Sequence, residues 1–139
     1  MRRESREKAF QTLFMMDALG IGPDEAIPLF ASAAGPATDP GYYEETVRGV
    51  WGRRREIDTL IGEAAEHWRV PRMALVDRNI LRLGAYELTH ASDIPVAVAI
   101  NEAVELGKRF GAEDSGAFIN GILDRISGIV RKKTAEGPA

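Results

Sequence analysis

Cysteine is missing from all 139 residues, which excludes a disulfide framework, a zinc ribbon and a thiol nucleophile together. Histidine is nearly as scarce: His67 and His90 are the two present. They stand too far apart in sequence to form a metal pair on one helix, and no HExxH pattern occurs. No stretch approaches the ~18 apolar residues of a membrane span. The opening MRRESREKAF carries charge where a secretory signal needs an apolar core. A soluble cytoplasmic protein without a membrane role is the expectation. A glycine-rich phosphate loop is missing too, since LGIGPDEA has the wrong spacing and no strand before it. Nor is there a surplus of positive charge, because the formal net charge is −3. If such a chain binds nucleic acid, it does so through a local patch on an otherwise repelling surface.

Three basic clusters could supply such a patch. Residues 2–8 hold Arg2, Arg3, Arg6 and Lys8 against Glu4 and Glu7; Arg53-Arg54-Arg55 and Arg131-Lys132-Lys133 are the others. The length fits one domain, or two small subdomains sharing a core. At this size roughly 68–70% of the unfolded surface can be buried without a staple.

The dominant apolar period is 3.6. Ala9, Phe10, Leu13, Phe14 and Leu19 make one stripe in a helix over 4–19, ended by Gly20 and Gly22. Pro23 or Pro28 could each open the next helix. GPATDPG (35–41) reads as a loop, with Asp39 and Pro40 placed to start another helix. Between Tyr42 and Trp68 two helices are expected, broken near Gly52–Arg55. Val47, Val50 and Trp51 mark the first, and Ile57, Leu60, Ile61, Ala64 and Trp68 the second. Pro71 precedes a helix marked by Leu75, Val76, Ile80, Leu83 and Leu88. Ser92-Asp93 and Pro95 read as a capped start for VAVAINEAVELGKRF, stopped by Gly111. Phe118, Ile119, Ile122, Leu123, Ile126, Ile129 and Val130 mark the last helix, and residues 134–139 read as a frayed, disordered tail after a domain of 1–133. The fold class read from this pattern is all-α, with about seven helices.

The stretch FGAEDSGAFINGIL (110–123) holds the most suggestive side chains. Adjacent residues do not point the same way, so Glu113-Asp114 is a poor acid/base pair. Asp114 or Ser115 is expected to cap the last helix, which leaves room for a second role at the surface. Phe110 and Phe118 bracket the turn. Their pattern favours core, although aromatics beside a glycine-rich corner could stack unpaired bases. Asn101 and Asn120 lie in apolar helical stretches, where the structural reading is an amide bonding a neighbouring helix and the functional one a base or ligand contact. Arg2, Arg3 and Arg6 alternate with acids as a solvated face would, yet two arginines ahead of any apolar residue have little packing purpose, and phosphate contact is the other reading. Arg53–Arg55 reads as a solvated junction. His67 and His90 lack partners that would suggest catalysis.

Taken together, RRESREKAFQTLF (2–14), ILRLGAYEL (80–88) and SDIPVAVAINEAVELGKRFGAEDSGAFINGIL (92–123) resemble the NusB family of bacterial transcription antitermination factors. The likeness covers nearly the whole chain, with residues 20–70 matching mainly in helical pattern. It implies a compact bundle of about seven helices in two packed helical subdomains, no enzymatic activity and no cofactor or metal. It also implies pairing with NusE, a small-subunit ribosomal protein, to bind the single-stranded boxA element of nascent RNA. That complex helps RNA polymerase resist termination in ribosomal RNA operons. The positions matching the family's RNA surface are Arg2, Arg3, Arg6, Phe14, Phe110, Asp114 and Phe118. Asp77 and Arg78 match its NusE face. Phe14 stands where tyrosine is common, Gly116-Ala117 where bulkier or basic residues are, and Glu4 interrupts the basic arm. The resemblance leaves monomer and homodimer both open. Three rivals remain: a stand-alone NusB-like module binding ribosomal RNA without antitermination, a helical adaptor that binds protein alone and, third, an enzyme, for which the sequence offers no convincing acid/base site.

Overall fold

The computed structural model describes residues 2–66 and 68–135. Among them it has seven α-helices, one short 3-10 turn and no strand. The helices are α1 (Arg2–Leu19), α2 (Pro23–Ala34), α3 (Pro40–Gly52), α4 (Arg54–Ala64), α5 (Leu75–His90), α6 (Val96–Phe110) and α7 (Ser115–Ala135), with the 3-10 turn at Val70–Arg72. The all-helical reading is borne out. None of these helices is long and apolar enough to cross a membrane. The chain divides into two units, Met1–Arg54 and Arg55–Ala139.

In the first unit α1, α2 and α3 pack against one another. The α1 stripe of Ala9, Phe10, Leu13 and Met16 is buried, as are Ala26 of α2 and Tyr43, Val47 and Val50 of α3. Fully burying side chains of this size contributes about 1.5–3 kcal/mol each. Gly20 ends α1 in the left-handed region at φ 69°. Its N–H and that of Ile21 both reach the Met16 carbonyl, at 2.8 and 3.2 Å, which satisfies an acceptor the helix leaves open. Pro23 opens α2, whereas Pro28 lies inside it and removes one interior hydrogen bond. The far end of α2 is closed from α1: Lys8 Nζ donates to the carbonyls of Ala34, Gly35 and Pro36 at 3.0, 3.2 and 3.0 Å. An ammonium there satisfies orphan carbonyls and meets the negative end of the helix dipole. Asp39 caps α3 by accepting from the Tyr42 N–H at 3.2 Å.

In the second unit α5 packs against both α6 and α7, which also pack together. Residues 79–87 of α5 are buried throughout, so this helix is apolar or paired on every side. Close approach is set by glycine: a Cβ on Gly84 would stand 2.7 Å from the Leu123 side chain, and one on Gly107 2.6 Å from that of Ile119. Two polar ties fix α4. Arg82 donates to both carboxylate oxygens of Asp58 at 2.8 Å, and Arg125 donates to the Ala64 carbonyl at 2.7 Å.

Several expectations change. The stripe drawn through Trp68 overruns its helix: α4 ends at Ala64, and Trp68 lies beyond it with 61% of its surface exposed. The chain turns at Glu66, whose φ of 45° is left-handed. Helix α6 takes Pro95 itself at its N-cap position, without a side-chain cap bond, so Ser92 and Asp93 do not open it. Asn101 and Asn120 are exposed, so the expected amide bonds between helices do not form there. The buried amide is Asn79, which donates to the Leu75 carbonyl at 2.9 Å and accepts from Arg82 at 3.3 Å. Helix α7 runs to Ala135. His67 and residues 136–139 of the expected tail lie outside the described residues.

Candidate nucleic-acid interface

In the first unit, the basic arm is the first turn of α1. Arg2 and Arg3 are exposed, but Arg6 is only 4% exposed. The guanidiniums of Arg2 and Arg6 lie over the Tyr42 ring, 5.0 and 5.5 Å from its centroid, a cation–π arrangement. Arg2 also stands 3.9 Å from Asp39. The acid that interrupts the arm has a local use: Glu4 accepts from the Thr38 N–H at 3.2 Å, while Ser5 accepts from the Asp39 N–H at 2.8 Å. Together they tie the loop before α3 to α1. Phe14 is half-buried, its ring 6.4 Å from that of Phe10.

In the second unit, the corner between α6 and α7 is a tight turn. Gly111 ends α6 with its N–H on the Gly107 carbonyl. Ser115 Oγ accepts from the Ala112 N–H at 2.9 Å, so the serine hydroxyl reaches back into the turn. The Asp114 carbonyl takes the Phe118 N–H at 3.1 Å, which puts Asp114 at the N-cap position and its side chain in solvent. Phe110 is half-buried, with the Arg109 guanidinium 5.2 Å from its centroid.

Phe118 meets Trp68 edge-on, at 5.7 Å and 80°. Beside them opens a cavity of about 230 Å³ lined by Trp68, Arg72, Met73, Asp77, Asp114 and Phe118. The structure thus brings Asp77, Asp114 and Phe118 to one place, although sequence reasoning had given Asp77 to a different surface. Asp77 Oδ1 is buried there and meets no hydrogen-bond donor among the described residues. Arg78 points elsewhere, its Nη1 3.4 and 3.3 Å from the Val70 and Pro71 carbonyls, and so holds the 3-10 turn to α5. Sequence reasoning missed Tyr42, Trp68 and Arg72. An aromatic followed by two arginines in WRVPR (68–72) was the available signal.

Fold and sites define a small all-helical protein with arginine- and aromatic-bearing corners on a chain of net charge −3. Comparison with known proteins narrows this class. The NusB family model matches residues 3–128. The transcription antitermination protein NusB of Geobacter sulfurreducens is 47% identical over 137 residues, covering 95% of this chain and 97% of its own length. Among solved structures, T. maritima NusB is similar with a TM-score of 0.84 at 36% identity, covering 92% of this chain and 91% of that one. A crystal structure of antitermination factors NusB and NusE in complex with double-stranded RNA gives 0.83 at 28% identity, over 92% of this chain and 96% of that one. The chain belongs to the NusB family.

Proposed function

We propose that this protein is a transcription antitermination factor that binds boxA-type single-stranded RNA together with NusE and helps RNA polymerase resist termination in ribosomal RNA operons. The observation that carries this is near-full-length identity of 47% to a protein named as a transcription antitermination protein. The similar structure that contains NusB, NusE and RNA supports the choice of partners. On this reading the protein acts in the cytoplasm, on nascent transcripts, by binding and not by catalysis.

The residues divide by chemistry. Arg2 and Arg3, exposed in the first turn of α1, contact phosphates, the sequence-independent part of the affinity. Arg6 supports them from a buried position over Tyr42. Phe14, Phe110 and Phe118 are half-buried and offer ring faces to unpaired bases. Asp114 accepts from a base amino group. NusE docks along the start of α5, where Asp77 and Arg78 stand.

The test is fluorescence anisotropy of labelled boxA RNA and of a scrambled RNA, with and without NusE, at one salt concentration. A boxA preference that strengthens when NusE is added supports the reading. Binding of NusE with no RNA preference at all would make the protein an adaptor.

A further inference from the structure

The run Arg53-Arg54-Arg55 reads in sequence as a solvated junction. Its first two members, which belong with Trp51 to the first unit, are arranged for more than that. Arg54 folds back over the half-buried Trp51. Its guanidinium lies 3.8 Å from the ring centroid, and its Nη1 donates to the Trp51 carbonyl at 2.8 Å. The cation–π contact and the carbonyl bond together fix the plane of the guanidinium. Arg53 closes α3 with its N–H on the Gly49 carbonyl. Its side chain is exposed and meets no acid among the described residues. By contrast, Arg48 one turn earlier is engaged by Asp24 and Glu44 at 2.8 and 3.0 Å. Helix stability does not account for the pair. Arg53 suits the carboxyl end of α3, but Arg54 is the first residue of α4, where the helix dipole disfavours a cation. An anion settled there would meet both charges and the positive end of that dipole.

We propose that Trp51, Arg53 and Arg54 form a second RNA contact, which takes an unpaired nucleotide flanking boxA. Its base stacks on the outer face of the Arg54 guanidinium, and its phosphate meets Arg53. The inference rests on the RNA-binding reading above and adds a separate site for RNA beyond boxA. Tyr42, under the Arg2 guanidinium, stands near the start of α3. From there to Trp51 the helix rises about 14 Å and makes about two and a half turns. The second contact therefore lies at the other end and on another side of α3, and a strand held at the arm has to run on to reach it. Guanidinium planes stack unpaired bases as aromatic rings do, and Trp51 beneath makes this plane a fixed layer. Duplex RNA keeps its bases stacked on one another and offers phosphates alone. An acidic protein segment would also meet the charge. The plane decides against it, because a carboxylate pairs with the edge of a guanidinium, and part of the Arg54 edge is already turned to the Trp51 carbonyl. Stacking of this kind tolerates any base, so the flank is held with little sequence preference.

The experiment measures RNA affinity for the complex of this chain with NusE. It compares boxA RNA alone with boxA carrying a few unpaired nucleotides at either end in turn, and with boxA whose added nucleotides are base-paired. An unpaired flank at one end should tighten binding about 5- to 100-fold over boxA alone, whatever its sequence. Arg54→Lys keeps the charge and loses the plane, so it should remove most of that gain and leave boxA alone unchanged. Arg53→Ala should flatten the salt slope by about 0.7 on the flanked RNA and not on boxA alone. The Arg53 side chain is exposed, so this variant keeps the test open should Arg54→Lys lower the melting temperature. If the unmodified complex shows no boxA preference over a scramble, the antitermination reading fails and the second contact with it. If the preference stands but no flank adds affinity, or a paired flank adds as much as an unpaired one, the second contact falls alone. Should both variants weaken NusE binding and leave the gain from the flank intact, this face takes an acidic protein segment instead.

Discussion

Tyr43 shows how one hydroxyl can tie stability to pH. Its oxygen lies 2.7 Å from Thr12 Oγ1, and Thr12 uses its own hydrogen on the Lys8 carbonyl at 2.8 Å. Tyr43 is therefore the donor and must keep its proton. Burial, chiefly, raises its pKa above the usual 10.0, and the Glu44 charge adds to this. A folded-state pKa above the unfolded one contributes stability that is intact below pH ~10 and is lost as pH rises toward the folded value. Chemical denaturation from pH 8 to 11 should show this alkaline loss, and Tyr43→Phe should flatten it. At pH 8 the same substitution should cost about 0.5–1.5 kcal/mol for the missing hydrogen bond. An unchanged alkaline slope in Tyr43→Phe would assign the loss to other groups.

The helices themselves were legible because their apolar residues recur at 3.6 and their ends carry glycine, proline or aspartate; Asp39, Gly20 and Gly111 all act as read. What was not legible depended on partners distant in sequence or on backbone turns without a marker. Trp68 continued the α4 period on paper, but the helix stops at Ala64 and turns at Glu66, a residue with no turn preference. Arg6 sits in a polar run yet is buried, because Tyr42 from α3 receives it. Asn79 was overlooked for the same kind of reason: Arg82 reaches over it to Asp58.

That α4–α5 tie gives a prediction for elements. Arg82 has 8% of its side chain exposed and Asp58 28%, so Asp58→Ala would take two charge-assisted hydrogen bonds from a nearly buried guanidinium. The expected loss is about 2–3 kcal/mol, below the figure for a fully buried pair because Asp58 keeps some solvent. Urea denaturation would measure it, and a loss under about 0.5 kcal/mol would reduce the pair to an exposed one. Glycines predict opposite signs on different helices. Gly107→Ala gains about 1 kcal/mol of helix propensity, but its Cβ would meet the fully buried Ile119 at 2.6 Å. Overpacking costs about 1–3 kcal/mol, so a net loss follows. Gly62→Ala, at an exposed position of α4, meets nothing within 4 Å and should stabilise by about 0.5–1 kcal/mol. Equal melting shifts for the two would remove the packing argument.

At the scale of the molecule, charge decides how RNA can be held. A net charge of −3 gives no long-range attraction for a polyanion, so affinity has to come from a few local contacts. Arg2 and Arg3 are the exposed cations at the start of α1, and Arg2 is already shared with Asp39 at 3.9 Å. An exposed pair of that length is weak, so a phosphate can take its place. For single strands the slope of log affinity against log salt changes by about 0.7 for each phosphate contact. Replacing both arginines by alanine should therefore flatten the slope by about 1.4 and weaken boxA and scrambled RNA by the same factor, because phosphates carry no sequence. Arg6→Ala should act differently. It removes a buried guanidinium from over Tyr42, so the melting temperature should fall. The salt slope should change by less than one contact's worth. If Arg6→Ala flattens the slope as much as Arg2→Ala does and leaves melting untouched, Arg6 itself reaches the phosphate, and its buried position over Tyr42 is given up when RNA binds.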